Sequence, residues 1–176
     1  AKGAVALRLC SSAGEALPAH IGERWRDAVG VDVLDGLGST EMLNTFLSNR
    51  PSDIRYGSTG KPVPGYDARI VDEHGGELSD GEIGELIVRG PNLMQGYHNK
   101  PEETASALRK GWYHTGDLAK SDPSGYLTIT GRIKELINRG GEKIAPNEVE
   151  RVIAGHPAVA SVCVFGIRHS TLGEEV

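Results

Sequence analysis

Glycine is the feature that most constrains how this chain folds. The sequence has 24 glycines in 176 residues, about twice the usual share, and they are spread along the chain instead of being gathered in a linker. Because glycine adopts a positive φ without strain, a chain with this many glycines is expected to consist of short elements joined by tight turns.

The first part of the chain, residues 1–53, is predicted to be the end of an α/β layer. Apolar runs at residues 7–10 and 31–34 are typical of strands. Residues 18–29 between them place Ile21 and Trp25 on one face of a helix. A strand, a helix and a second strand in this order are typical of α/β proteins.

Residues 54–130 are predicted to form a small, compact β barrel or sandwich, of which the barrel is preferred. Gly, Pro and Asp turns separate several short apolar runs, at residues 68–71, 84–88 and 126–129. One helix is expected after Pro101, because a proline and two acidic residues open a helical pattern there.

The C-terminal part is predicted to be the start of a second, small α/β domain. Strands are expected at residues 133–137 and 159–165, and a helix is expected at residues 146–153. Gly140 and Gly141 predict a tight turn after the first of these strands.

Charge and cysteine content argue against several classes of protein. The formal net charge of −5 gives no broad attraction to nucleic acid, and no apolar run approaches the ~20 residues of a membrane span. Cys10 and Cys163 are interpreted as buried thiols of a cytoplasmic protein, because they lie in apolar surroundings without a C-x-x-C pair. The histidines have no metal-binding spacing, so no zinc site is expected. The sequence gives no signal for an oligomeric state.

A first cluster of chemically useful residues lies shortly after the strand predicted to end at Leu34. Gly38 and Ser39 are small enough to let a ligand approach the backbone, and Thr40 can donate a hydrogen bond to a phosphate oxygen. Glu41 can bind Mg²⁺. The alternative is a glycine turn that Ser and Thr merely cap.

Two more clusters follow. Asp117 lies among aromatic and apolar residues and can accept paired hydrogen bonds from ribose hydroxyls, although a turn aspartate that bonds its own backbone is the alternative. Arg132 and Lys134 precede the glycine turn, in a charged stretch that is otherwise interpreted as the solvated face of a hairpin.

The three clusters occur together with the stretches SAGEAL at residues 12–17 and GELIVRG at residues 84–90. In this order, the motifs resemble those of the adenylate-forming superfamily. That superfamily contains acyl- and aryl-CoA synthetases, luciferases and the adenylation domains of peptide synthetases. The resemblance runs from about residue 9 to residue 176. Residues 38–43, GSTEML, are similar to the same segment of benzoate-type CoA ligases.

The resemblance implies a site for ATP and Mg²⁺. It implies that Thr40 contacts the α-phosphate, that Glu41 binds Mg²⁺, that Asp117 binds the ribose hydroxyls and that Arg132 lies beside the ribose. The other nucleotide contacts that it implies are Gly14, Glu15, Gly38 and Ser39.

The resemblance also implies a mobile C-terminal domain. A hinge is expected at residues 131–134, with Lys134 as its catalytically important residue and the mobile domain starting at residue 135. In this family the small domain first completes the adenylation site and then presents a tunnel for the thiol of coenzyme A. Gly140 and Gly141 correspond to the glycine turn beside the pantetheine arm in the second arrangement.

For the acid substrate, the resemblance implies that Gly38, Leu43 and Asn44 contact the acyl group. Small and apolar residues suit a flat aromatic ring. Leu37 departs from the pattern, because the family commonly has an aromatic residue there that stacks on adenine. The stretch around Lys134 is equally similar to fatty-acyl synthetases, so the class of acid stays open.

The parent protein is therefore expected to be an AMP-forming acid–CoA ligase for an aromatic acid. The alternatives are a fatty-acyl-CoA synthetase and an adenylation domain that loads a carrier protein instead of coenzyme A. The family's Thr/Ser/Gly-rich phosphate loop and its Pro-Lys segment with the adenylation lysine have no match in this sequence. The 176-residue chain is thus interpreted as an internal fragment that forms no acyl-adenylate by itself. A non-catalytic folded module is the alternative of another class.

Overall fold

The protein has a mixed α/β fold, which a computed structural model describes over residues 6–176. The described part contains three sheets in succession along the chain and three α-helices between their strands. None of the described helices has the length and apolar character that crossing a membrane requires.

The first sheet has four strands in sequence order: β1 (Cys10–Ser12), β2 (Val33–Gly38), β3 (Thr45–Ser48) and β4 (Lys61–Pro62). β1 and β2 are parallel and are linked by helix α1 (Ala19–Val29), whereas the remaining pairs are antiparallel. Helix α1 ends where Gly30 takes a φ of 84° and its N–H bonds the carbonyl of Arg26. The predicted strand–helix–strand order is confirmed.

The bounds of both predicted strands are wrong. Pairing of Cys10 with Val33 sets the register, so β1 starts at the end of the predicted run and β2 continues through Gly38. Ile21 and Trp25 lie one turn apart in α1, and their exposed fractions are 40% and 39%. The buried position of α1 is Gly22, on which Tyr56 packs.

The second sheet is antiparallel and curls into a half-barrel. Its strands are β5 (Asp67–Val71), β6 (Gly84–Arg89), β7 (Leu108–Arg109), β8 (Trp112–Ser121) and β9 (Leu127–Arg132). The long strand β8 pairs with β6, β7 and β9 and is therefore the centre of the sheet. Helix α2 (Pro101–Ala107) begins at the predicted proline.

The third sheet contains β10 (Ile137–Arg139), β11 (Glu142–Ile144), β12 (Ile167–His169) and β13 (Gly173–Glu175), in the order β11-β10-β13-β12. Helix α3 (Pro146–Ala154) follows β11, as predicted. The division of the chain into subdomains at residues 53, 130 and 134 stays a prediction.

Three predictions for this region are wrong. Residues 133–135 form a 3₁₀ turn, closed by a hydrogen bond from the Leu136 N–H to the Ile133 carbonyl, and the strand starts only at Ile137. Residues 159–165 form no strand: the Val164 N–H bonds the Glu150 carboxylate instead of a neighbouring strand. Cys163 is exposed, and Cys10 is only half-buried.

One apolar core joins the first two sheets. Met42 and Phe46, from the end of the first cluster and from β3, are at most 1% exposed. They pack with residues of the second sheet, which include Leu86, Tyr113 and Ala119. The loop that precedes Phe46 is therefore held against β8, where Asp117 also lies.

A substitution at Gly60 tests the packing between the first and second sheets. Gly60 has a φ of +97°, its backbone pairs with Leu127, and a Cβ there would overlap the backbone of Ser48 and Asn49. We expect Gly60→Ala to destabilise the full-length protein by more than about 3 kcal/mol, because the backbone cannot make room. Gly65→Ala is the matched control: its φ is +93° with nothing within 4 Å, so only the conformational cost of about 1 kcal/mol applies. Equal shifts of the apparent unfolding temperature would contradict this view of the packing.

Candidate active site

The first predicted cluster forms the connection between β2 and β3. Gly38 pairs with Thr45, so residues 39–44 form a hairpin loop. A Cβ on Gly38 would lie 2.8 Å from the Asn44 carbonyl oxygen. Gly38 is thus required for closing the hairpin, whatever it does for a ligand.

Within the loop, one side chain is buried and the others are half-buried or exposed. Met42 is anchored in the core, and its N–H bonds the hydroxyl of Ser39. Thr40 and Asn44 are exposed, and Leu43 is 80% exposed with a φ of 59°, which is unusual for leucine. A strained apolar side chain held out into solvent is typical of a binding position.

Glu41 is fixed from a distant part of the chain. Its Oε1 accepts a hydrogen bond of 2.8 Å from the hydroxyl of Tyr97. Burial raises the pKa of Glu41, but the hydrogen bonds from Tyr97, from its own N–H and from Ser39 lower the pKa by more than burial raises it. The pKa of Glu41 therefore lies below its usual value. Glu41 is therefore a carboxylate at neutral pH.

Asp117 and Arg132 lie opposite each other on β8 and β9. Arg132 Nε is 2.9 Å from Asp117 Oδ1, and the aspartate side chain is 7% exposed whereas the arginine is 50% exposed. Burial raises the pKa of Asp117, against the lowering effect of the Arg132 charge and hydrogen bond. The second and third predicted clusters thus meet in one ion pair.

Sequence reasoning missed the side chains that support Asp117. Thr115 Oγ1 bonds the Leu86 carbonyl and accepts from the Asp117 N–H. Glu85 bonds the N–H of Gly116 and the ring of His114, at 3.3 and 2.7 Å. The signal was present, because Glu85 belongs to the GELIVRG stretch that carried part of the resemblance.

Asp35 was also missed. It is 4% exposed at the middle of β2, and its Oδ2 accepts from the Leu17 N–H at 3.4 Å. Its Oδ1 has no hydrogen-bond partner within residues 6–176. Burial raises the pKa of Asp35.

The glycine turn lies in the third sheet. Gly140 and Gly141 have φ values of 61° and 98° between β10 and β11, which confirms the predicted tight turn. An open cleft of about 820 Å³ adjoins the turn and is also lined by His169 and Leu172. Lys134 is exposed within the 3₁₀ turn.

The described structure brings most of these groups together, but not all. Tyr113 of β8 packs in the core cluster that contains Met42, and burial together with the charge of Glu41 raises the pKa of Tyr113. The first cluster thus contacts the strand that carries Asp117. Gly140 and Gly141 belong to a different sheet, away from this contact.

Glu41 is suited to bind Mg²⁺ as the one carboxylate ligand that the protein provides. No group of three or more His, Cys, Asp or Glu side chains suited to a metal occurs in the part of the chain that the structure describes. Mg²⁺ does not need such a group, because it keeps several waters and commonly binds one or two carboxylates together with substrate phosphates.

A family model described as "AMP-binding enzyme" matches residues 1–98, more than half of the chain. The chain belongs to the AMP-binding enzyme family. The resemblance to the adenylate-forming superfamily, on which the sequence analysis relied, is confirmed.

Two curated relatives and one solved structure are similar to nearly the whole of this chain. The chain is 45% identical over 94% of its length to the benzoate–CoA ligase of Thauera aromatica, and 41% identical over 94% to a long-chain-fatty-acid–CoA ligase of Escherichia coli O157:H7. It superposes on the crystal structure of ATP-bound MatB from Rhodopseudomonas palustris with a TM-score of 0.88 and 40% identity, over 95% of this chain and 34% of MatB. The chain spans 32% and 30% of the lengths of the two ligases, about a third.

Proposed function

We propose that the full-length protein carrying this chain is an ATP-dependent, AMP-forming acid–CoA ligase. The observation that carries the proposal is the packing of Met42, from the Glu41 loop, with Tyr113 of β8, the strand that also carries Asp117 of the Asp117–Arg132 pair. This contact joins a carboxylate suited to a metal on phosphates with a buried carboxylate suited to ribose hydroxyls.

In the first half-reaction, an oxygen of the substrate carboxylate attacks the α-phosphorus of ATP. A P–O bond to the acid forms, and the P–O bond to pyrophosphate breaks. Asp117 holds the ribose, and Thr40 donates a hydrogen bond to an α-phosphate oxygen. Mg²⁺, when bound at Glu41, supplies positive charge at the phosphates. The protein contributes positioning and charge neutralisation and forms no covalent bond of its own.

In the second half-reaction, the thiol of coenzyme A attacks the acyl carbon, a C–S bond forms and AMP leaves. The glycine turn at Gly140 and Gly141 offers a backbone surface without side chains, along which a pantetheine arm can pass. Rotation about Lys134 would exchange the surface used for adenylation for the surface used for thioester formation.

We propose an aromatic acid as the substrate. Leu43 and Asn44 belong to the Glu41 loop and are both exposed, so their side chains are accessible to an acyl group. The identity to the benzoate–CoA ligase of Thauera aromatica supports this choice. A fatty acid is the second candidate, because the long-chain-fatty-acid–CoA ligase of Escherichia coli is 41% identical.

ATP–pyrophosphate exchange by the full-length protein tests the proposal. We expect exchange with benzoate to exceed exchange with a long-chain fatty acid and to require Mg²⁺. Glu41→Gln is expected to lower the rate by roughly a hundredfold, since a charged ligand near the reacting phosphates contributes several kcal/mol. The 176-residue chain alone is expected to give no exchange. A full-length protein that exchanges with no carboxylic acid would overturn the proposed function.

A further inference from the structure

The hydrogen bond from Tyr97 to Glu41 links two parts of the chain that are 56 residues apart. Glu41 lies in the β2–β3 loop, and Tyr97 lies in the segment between β6 and α2. The same segment makes a second bond to this residue, from the Met94 N–H to the Glu41 carbonyl oxygen at 2.8 Å. Both the backbone and the side chain of Glu41 are thus held by residues 94–97.

The position of Tyr97 is itself fixed by helix α2. The Tyr97 N–H donates to Thr104 Oγ1 at 2.9 Å, and the Thr104 hydroxyl donates to the Lys100 carbonyl at 2.7 Å. Gly96 allows this close approach, because a Cβ there would lie 2.7 Å from Thr104 Cγ2. The tyrosine therefore reaches Glu41 from a preorganised support instead of from a free loop.

The hydroxyl of Tyr97 acts as a donor over the whole physiological pH range. Burial and the Glu41 carboxylate raise the pKa of Tyr97 to about 12. A neutral donor on one oxygen of a carboxylate fixes the plane of the group without cancelling its charge. The bond from Tyr97 uses one lone pair of Oε1, so the carboxylate keeps lone pairs that can bind a cation.

We propose that Tyr97 is a positioning residue, which orients Glu41 so that its carboxylate can bind the Mg²⁺ carried by ATP. This inference rests on the proposed function. A merely structural tyrosine would instead hold the segment 94–97 in place and have no specific effect on the metal.

The test is calorimetric ATP binding to full-length protein, measured in Mg²⁺ and in EDTA. Tyr97→Phe keeps the ring and removes only the hydroxyl. We expect it to weaken ATP binding in Mg²⁺ by about tenfold, the size of a lost hydrogen bond to a charged group, and to leave binding in EDTA unchanged. In a Glu41→Gln background, Tyr97→Phe is expected to add no further loss, because the two residues act as one unit.

Tyr66→Phe is the matched control. Tyr66 is also half-buried, and its hydroxyl bonds Asn92 at 3.0 Å, in the same segment but away from Glu41. We expect unchanged ATP binding with this variant under both conditions.

The outcomes separate the two proposals. Normal Mg²⁺-dependent binding by Tyr97→Phe, or an equal loss in Mg²⁺ and in EDTA, overturns the role of Tyr97 and leaves the proposed function intact. Absence of Mg²⁺-dependent ATP binding by the unmodified protein overturns the proposed function and with it the role of Tyr97.

Discussion

Asp117→Ala in the full-length protein is expected to weaken ATP binding by roughly a hundredfold. In the proposed function Asp117 accepts two hydrogen bonds from the ribose, and the loss of bonds to a charged group on this scale costs about 3 kcal/mol. The carboxylate is 7% exposed and is paired with Arg132, and the backbone N–H of Asp117 donates to Thr115 Oγ1, so Asp117 is fixed at this position. Calorimetric titration with ATP measures the effect.

The chain offers a closely matched control for this substitution. Asp67 and Arg89 also face each other across two antiparallel strands, with Arg89 Nε 2.7 Å from Asp67 Oδ2, but both side chains are more than half exposed. Asp67→Ala removes the same kind of ion pair from the same sheet and is expected to leave ATP affinity unchanged. If both substitutions weakened binding equally, Asp117 would have no specific role at the nucleotide.

Asp117→Asn separates binding from folding. Burial raises the pKa of Asp117 above its ordinary value. A raised pKa in the folded state means that ionisation at neutral pH lowers the free energy of unfolding, an effect that disappears as the pH falls below the ordinary pKa. The asparagine variant is therefore expected to lose ATP affinity at pH 7 without a lower apparent unfolding temperature. If Asp117 served only stability, Asp117→Asn would lower the apparent unfolding temperature and leave ATP affinity unchanged.

Local sequence signals predicted the helices well but placed several strands wrongly. Pro101 and Gly30 mark helix ends through backbone geometry that is local to each residue. Strand bounds depend on a partner that is distant in sequence. Residues 159–165 are apolar enough for a strand, but no described strand pairs with them, and the N–H of Val164 bonds a side chain instead.

The residues of the candidate site also divide into those with a local sequence signal and those that depend on a distant partner. Glu41, Asp117 and Arg132 stand out from the sequence because the motifs that contain them occur in a familiar order. Tyr97 does not stand out, because its role follows from a hydrogen bond across 56 residues that no spacing rule expresses. The assigned roles of all four residues remain predictions for experiment.

Lys134→Pro is expected to separate the two half-reactions of the full-length protein. Lys134 lies in the 3₁₀ turn between the second and third sheets, where φ is typically between −50° and −70°. Proline fixes φ near −65°, which matches the φ expected at Lys134 itself in the present turn. The chain that contains this turn superposes on an ATP-bound relative. We therefore expect pyrophosphate exchange to persist. An arrangement that needs a different φ at Lys134 would cost about 3 kcal/mol more, and thioester formation from added acyl-adenylate should fall roughly a hundredfold.

Two further substitutions show whether backbone restriction causes this effect. Lys134→Ala removes the side chain and Lys134→Gly frees the backbone, so both are expected to keep both half-reactions if the hinge depends on backbone freedom. The apparent unfolding temperature checks that the turn has survived, since proline also disfavours a helical backbone at the preceding residue, Ile133. Parallel loss of both half-reactions in Lys134→Pro, or no change in either, would show that the domains do not alternate about this residue. Loss of thioester formation in Lys134→Ala as well would assign the effect to the ammonium group instead of the backbone.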